Sequence, residues 1–424
     1  MLMPSSTARE IVITGVGVVS PIGVGLKPFW ESLCQGTSGI RALDELGGAE
    51  GPLPIAARVT DFDGKQHVTP RKSLKVMSRE IQFGFAASRM AVEQAGLEVP
   101  VVDPERWGVI LGSDMLYSEP ADMIDTYREC IVAGQFDFSR WGEAMQRLNP
   151  LWMLKYLPNM AACHVGIALD VRGPTNSIVQ GETSSLQALI EACRTIERGA
   201  ADIMVTGGSG SRISPVNGSF RDGRMFSSRI DDPAAASRPF DLLRDGSVNG
   251  EGAAALVLES RRHAEARQAN ILACVRGYSS TCEPRPGSVP PQGAAIRRGI
   301  LAALEKAGMS ASEVGHVNAH GISDVDQDIV EARAIAATLG SVPVTAPKSL
   351  FGNLGGGGGA VELVASVLAL ETGEIPPTRN YEHRDPDCPV TVVYGRPQRQ
   401  TLSSAVVLNQ TAYGHATAVV ISRE

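Results

Sequence analysis

Residues 11–19 read Ile-Val-Ile-Thr-Gly-Val-Gly-Val-Val, a run that apart from its glycines is β-branched at every position. A strand with one wet face alternates apolar and polar residues; this run does not, so it predicts a strand buried on both faces near the middle of a sheet. Working outward, residues 81–97 carry a helical pattern closed by Gly96, and Trp107 to Gly112 reads as a second buried strand. The alternation continues with a strand over Asn176–Val179, a helix over Leu186–Ile196 and a strand over Asp202–Thr206 that Gly207 and Gly208 are expected to end. Strand and helix taken in turn define an α/β layered fold.

A second cycle follows a charged helical stretch at Ser260–Asn270. It comprises a strand over Ile271–Gly277, a helix from Gly293 to Gly308, a strand at His316–Ala319, a helix after Asp328 and an apolar helix over Ala360–Leu370. Strands at Ala405–Asn409 and Thr417–Ser422 close the chain. Two halves are expected, residues 1–260 and 271–424, related by order of elements without a residue-level repeat. Residues 113–160 lack a clear strand and read as an insertion; core packing is the expectation for its Trp141, Trp152, Met153 and Tyr156, with a lid or interface as the alternative.

The chain has 424 residues, 43% hydrophobic and 20% charged, a globular composition that excludes disordered and coiled-coil classes. Its 39 basic and 46 acidic side chains leave a net charge of −7, which argues against a nucleic-acid partner. The seven cysteines, at 34, 130, 163, 193, 274, 282 and 388, form no C-x-x-C pair and no disulfide framework, so a reducing cytoplasmic setting is expected. No apolar run is long enough for a membrane span and the first ten residues lack a signal-peptide core, so no membrane association is expected either.

Several motifs read more plainly than they first suggest. Gly15-Val16-Gly17 has Ser20 at the third position of a dinucleotide fingerprint, and a tight strand exit is the better reading. Gly355–Gly359 lacks the Lys-Ser/Thr of a phosphate-binding loop and predicts close backbone approach beside a helix start. Cys163 and His164 are sequence neighbours that point apart on a helix, unlike a nucleophile and its base. The segment from Gly173 to Leu189 is more informative. A short strand enters a turn at Gly181, and a helix with apolar Leu186, Leu189, Ile190, Cys193 and Ile196 follows, so Glu182 stands at a helix N-terminus. Such a position favours an activated nucleophile or a held anion, although an ordinary acidic helix start fits the same residues.

At these residues the chain resembles the elongating β-ketoacyl-[acyl-carrier-protein] synthases of the thiolase superfamily. The likeness runs through VITGVGVVSPIG near residue 12, the stretch 227–259, VNAHGIS with Asp328 and Glu331, APKSLFGNLGGGGGAVE, and NYEHRDPDC. It implies a five-layered α-β-α-β-α sandwich of two similar halves, a homodimer, and an active site between the halves that uses no cofactor and no metal. The family's chemistry takes an acyl group onto a cysteine and uses two histidines and a lysine to decarboxylate a malonyl thioester.

Carried over residue by residue, the resemblance puts Glu182 at the nucleophile position, His320 at the first histidine, Lys348 at the lysine and Asn353 at the second histidine. Asp328 and Glu331 take structural places near the site. The threonine-bearing motif that holds the carrier arm becomes Gly321-Ile322-Ser323-Asp324, and the glycine-rich gate becomes Ala412-Tyr413-Gly414-His415. The amides of residues 182 and 413 are then expected to form the oxyanion hole, with the Glu182 carboxylate turned into it, and His415 is a new imidazole near the site. A carboxylate forms no thioester intermediate. Three functions follow: a non-condensing partner like the chain-length factors, in a homodimer or a heterodimer with an active ketosynthase; a repurposed or malonyl-decarboxylating catalyst using Glu182, His320 and His415; and, least favoured, a condensing synthase. Acyl carrier protein is the further partner the family implies.

Overall fold

A computed structural model describes residues 10–44, 51, 53–99, 103–115, 117–216, 225–284 and 291–424. The first ten residues, which are expected to lack a signal-peptide core, lie outside these apart from Glu10. Strand β1 (Ile11–Ser20) is buried along its whole length, as its two-faced apolar pattern requires. Around it are β2 (Trp107–Gly112), β3 (Thr175–Ile178), β4 (Ile203–Ser211) and β5 (Glu251–Ser260). The second cycle supplies β6 (Ala273–Cys282), β7 (His316–Asn318), β8 (Pro343–Thr345), β9 (Thr391–Val392), β10 (Ser404–Gln410) and β11 (His415–Ser422).

These strands form one hydrogen-bonded path, β9-β8-β7-β10-β11-β6-β1-β5-β4-β2-β3. Reading outward from β1 gives β5, β4, β2 and β3; reading outward from β6 gives β11, β10, β7 and β8. The senses of pairing also match, antiparallel for the first two steps and parallel for the last two. The two passes meet where Ile11–Ile13 pair antiparallel with Ala273–Val275.

Helices α1 (Arg79–Gln94) and α2 (Met160–Leu169) cover the outer face of the first pass, and α4 (Ala294–Ala307) and α5 (Val325–Leu339) that of the second. Between the passes lie α3 (Ser184–Glu197) and α6 (Gly358–Thr372). Every residue of α6 from Gly358 to Leu370 is buried, which is why its sequence is apolar on all sides apart from Glu362 and Ser366. The result is the expected five-layered thiolase-like sandwich, whose largest hydrophobic clusters among the described residues are one central and two outer.

Four expectations are corrected. Gly15 and Gly17 lie within β1 rather than at its exit: a Cβ on either would fall 2.2 Å from a carbonyl oxygen of α1, Ala91 or Ala87, so they set the strand-to-helix approach. Strand β4 does not end at Gly207 and Gly208 but continues to Ser211, because those glycines face neighbouring backbone, with Ala254 O and Gly356 O where a Cβ would stand. Helix α5 starts before Asp328, at Val325, where the Asp324 carboxylate accepts from the amides of Asp326 and Gln327. In the 113–160 region Trp141, Trp152 and Tyr156 are half-buried and Met153 is exposed, so they are not core residues. Phe138 stacks on Trp141, and Tyr127 and Phe136 pack beside them, a satellite cluster on the surface. Among the described residues no helix is long and apolar enough to cross a membrane.

Candidate functional site

The N-termini of the two central helices meet. At the start of α3, Gly181 adopts a left-handed φ of +58° and Glu182 sits in the single 3₁₀ turn that precedes the helix. Ser184 ties that turn together, its hydroxyl donating to Gly181 O at 2.7 Å and accepting from Gln180 N at 2.8 Å. At the start of α6 the glycine run brings backbone against backbone, and Ala360 N donates to Ser185 Oγ at 3.0 Å. Positive ends of two helix dipoles thus converge near the Glu182 carboxylate.

That carboxylate has a partner that motif reading missed. Arg212, just past the end of β4, is 2% exposed; its guanidinium donates from Nη1 to Glu182 Oε1 and from Nε to Asp114 Oδ2, the latter at 2.6 Å. Asn353 Nδ2 reaches the same Glu182 oxygen at 3.3 Å. Burial acts against the charge on Arg212, but Asp114 and Glu182 outweigh it and hold the guanidinium above its ordinary value. The signal available in the sequence was an arginine one residue past a strand that lines the site, visible only once β4 is known to run through its glycines.

Lys348 belongs to a second buried cluster. Its Nζ donates to Glu362 Oε1 and lies 3.3 Å from His320 Nδ1, while Asn409 Nδ2 donates to Glu362 Oε2 at 2.7 Å. Burial, then the Lys348 charge, holds the His320 imidazole well below its usual value, which favours a neutral ring whose Nδ1 can accept from Lys348 Nζ. Glu362, on α6, was likewise missed; it is hidden inside an otherwise apolar run, and burial raises its carboxyl against the pull of Lys348.

Asp328 and Glu331 staple the loop that carries His320. Glu331 accepts from the amides of His320 and Gly321 at 2.7 and 2.8 Å, and Asp328 from those of Phe240 and Ile322 at 2.9 and 3.2 Å. Burial pushes Asp328 up to about 7 and Glu331 up to about 8. Residues 411–414 form the turn between β10 and β11, where Gly414 takes φ +89° and the Tyr413 amide donates to Thr411 Oγ1 at 3.3 Å. The Tyr413 ring is exposed. The Glu182 Oε1 atom is held by Arg212 and Asn353.

An open cleft of about 650 Å³ leads to this place; Asp114, Glu182, Arg212, Met225, Tyr413 and His415 are among the residues along it. No cysteine is among the described residues that line it. Among the described residues no cluster of His, Cys, Asp and Glu is arranged to hold a metal ion.

A two-layered sheet order repeated in two passes, with a site at the meeting of two central helices, defines a thiolase-like condensing-enzyme fold. Residues 8–264 match the family model for the β-ketoacyl synthase N-terminal domain and residues 272–382 that for the C-terminal domain, so the chain belongs to the β-ketoacyl synthase family. It is 32% identical over 423 residues to a 3-oxoacyl-[acyl-carrier-protein] synthase 2 of Synechocystis, covering 97% of each chain. It is 33% identical to a putative polyketide β-ketoacyl synthase 1 of Streptomyces halstedii, covering 98% of each. Among solved structures it is similar to a β-ketoacyl synthase from Burkholderia phymatum, with TM-score 0.88 and 28% identity over 98% of this chain and all of that one. It is also similar to the ishigamide ketosynthase/chain length factor, with TM-score 0.84 and 29% identity over 99% of this chain and all of that one.

Proposed function

We propose that this protein is a non-condensing member of its family, a chain-length-factor-like partner in fatty-acid or polyketide synthesis. The observation that carries this reading is the ion pair between Glu182 and Arg212. By the family resemblance Glu182 stands where the acyl-accepting cysteine belongs, and a carboxylate engaged by a buried guanidinium offers neither a thiol nor a free nucleophile. The charge also faces the region where a thioester oxygen becomes negative during condensation, and it opposes that development. Asp324 and Ile322 replace hydroxyl donors in the motif that holds the carrier arm, which weakens carrier-arm binding further.

The reading is tested by incubating the purified protein with acyl- and malonyl-acyl carrier protein. Intact mass should show no acyl adduct, and no condensation product should form. An adduct that chases into product overturns it. Association is expected through β3, the edge strand of its pass and an unpaired edge that a second chain covers. Light scattering should give twice the 44.8 kDa chain mass, or a heterodimer when an active ketosynthase is supplied.

A second reading, a repurposed or malonyl-decarboxylating catalyst, draws on the open cleft that both Glu182 and His415 line. It differs from the first in requiring turnover that depends on the Glu182 carboxylate.

A further inference from the structure

A buried guanidinium is costly to desolvate, and an apolar residue of similar volume commonly serves structure as well or better. Arg212 is nonetheless built in from all sides. Its carbonyl accepts from Asn249 Nδ2 at 2.8 Å, its amide donates to Gly250 O at 3.1 Å, and Gly355 withholds a Cβ that would fall 2.5 Å from its Nε. Its two ion pairs differ in direction: Asp114 takes Nε and Glu182 takes Nη1. The fork is therefore held by Asp114 and presents its far end to residue 182.

We propose that Arg212 is a positioning residue, the counter-ion that fixes both the place and the charge of Glu182 at the entrance to α3. This deepens the non-condensing reading, on which it rests for its meaning, by naming the group that keeps residue 182 in the anionic form. Any ionisable side chain at that position should feel the same field. The titratable and charged groups along its cleft are Asp114, Arg212, His415, Tyr117 and Tyr413, and the charge of Glu182 reaches His320.

A cysteine is the probe. Glu182→Cys is prepared alone, with Arg212→Met and with Arg212→Lys, and alkylation of the introduced thiol by iodoacetamide is followed by peptide mass mapping from about pH 5 to about pH 9. The helix N-terminus acts on the thiol in all three proteins, so differences among them report Arg212. Near neutral pH the single variant should react about tenfold faster than the Met double variant, with the Lys variant within about threefold of the single one. Equal rates in all three proteins, or a faster Met variant, would overturn the proposal. If the Met double variant does not fold, Arg212→Gln, which keeps donors and drops charge, makes the same comparison. The outcomes separate: condensation by the wild type removes the non-condensing reading and leaves these rates untouched, whereas equal rates remove the role of Arg212 and leave that reading standing.

Discussion

Gly355 stands so close to Arg212 that a Cβ at 355 would fall 2.5 Å from the guanidinium Nε, and 2.1 Å from the Asp114 oxygen that pairs with it. The first residue of the glycine run is thus the wall of an ion-pair chamber. Its φ of +58° adds a second requirement for glycine. Gly355→Ala should therefore cost about 1–3 kcal/mol by overpacking and strain combined. Urea unfolding checks this, and a change under about 0.5 kcal/mol would mean that the chamber yields easily.

Glu80 lies behind that chamber, fully buried, its Oε1 accepting from Ser113 Oγ at 2.8 Å. Burial, seconded by Asp114, pushes its carboxyl from 4.5 up to about 8. Between those two values the folded protein keeps a proton that the unfolded chain has lost, so this group makes stability fall as pH rises and then level off above about 8. The slope it contributes is at most about 1.4 kcal/mol per pH unit. Glu80→Gln removes it. The variant should gain on the wild type steadily from about pH 5 to about pH 8 in denaturant titrations, and a constant difference across that range would refute the assignment.

Lys348 and Glu362 form the second buried pair at the site. Removing one partner strands the other: Lys348→Met should cost about 3–5 kcal/mol, and adding Glu362→Gln should recover most of it. The same single substitution removes a charge that holds His320 low, so the His320 imidazole should titrate at a higher pH in Lys348→Met. Imidazole NMR reads that shift directly. An unmoved His320 would show that burial alone keeps the ring neutral.

What could be read from sequence follows from how each feature is encoded. Strand β1 and helix α6 declare themselves because burial on all sides forces predominantly apolar runs, and α4 because Gly293 and Gly308 bracket it. Strand β4 was cut short because glycine is a poor strand former, yet here glycines are needed for the close approach of the 354–357 backbone. Glu182, His320, Lys348 and Asn353 were placed by a family resemblance, and the structure brings Glu182 to Asn353 and His320 to Lys348. Arg212, Asp114 and Glu362 escaped because a buried charge has no periodicity or motif; its reason is a partner far away in sequence. The surface aromatics near Trp141 were misjudged because hydrophobicity alone does not distinguish a core from a satellite cluster.

The charge on Glu182 decides between the two functional readings. If its carboxylate is an obstacle, then Glu182→Gln, which keeps the shape and an oxygen toward Asn353 while removing the repulsion, should raise any residual decarboxylation of malonyl-acyl carrier protein. Arg212 remains paired with Asp114 in that variant, so the guanidinium is not stranded and the fold should persist. If instead Glu182 works as an acid or base, the amide cannot exchange a proton and the rate should fall by about 100-fold or more. Carbon dioxide release by the two proteins, measured side by side at saturating malonyl-carrier protein, separates the cases. A wild type faster than the Gln variant would establish Glu182 as a catalytic group and set aside the partner reading; a slower wild type would leave the carboxylate, held by Arg212, as the feature that keeps this site from turning over.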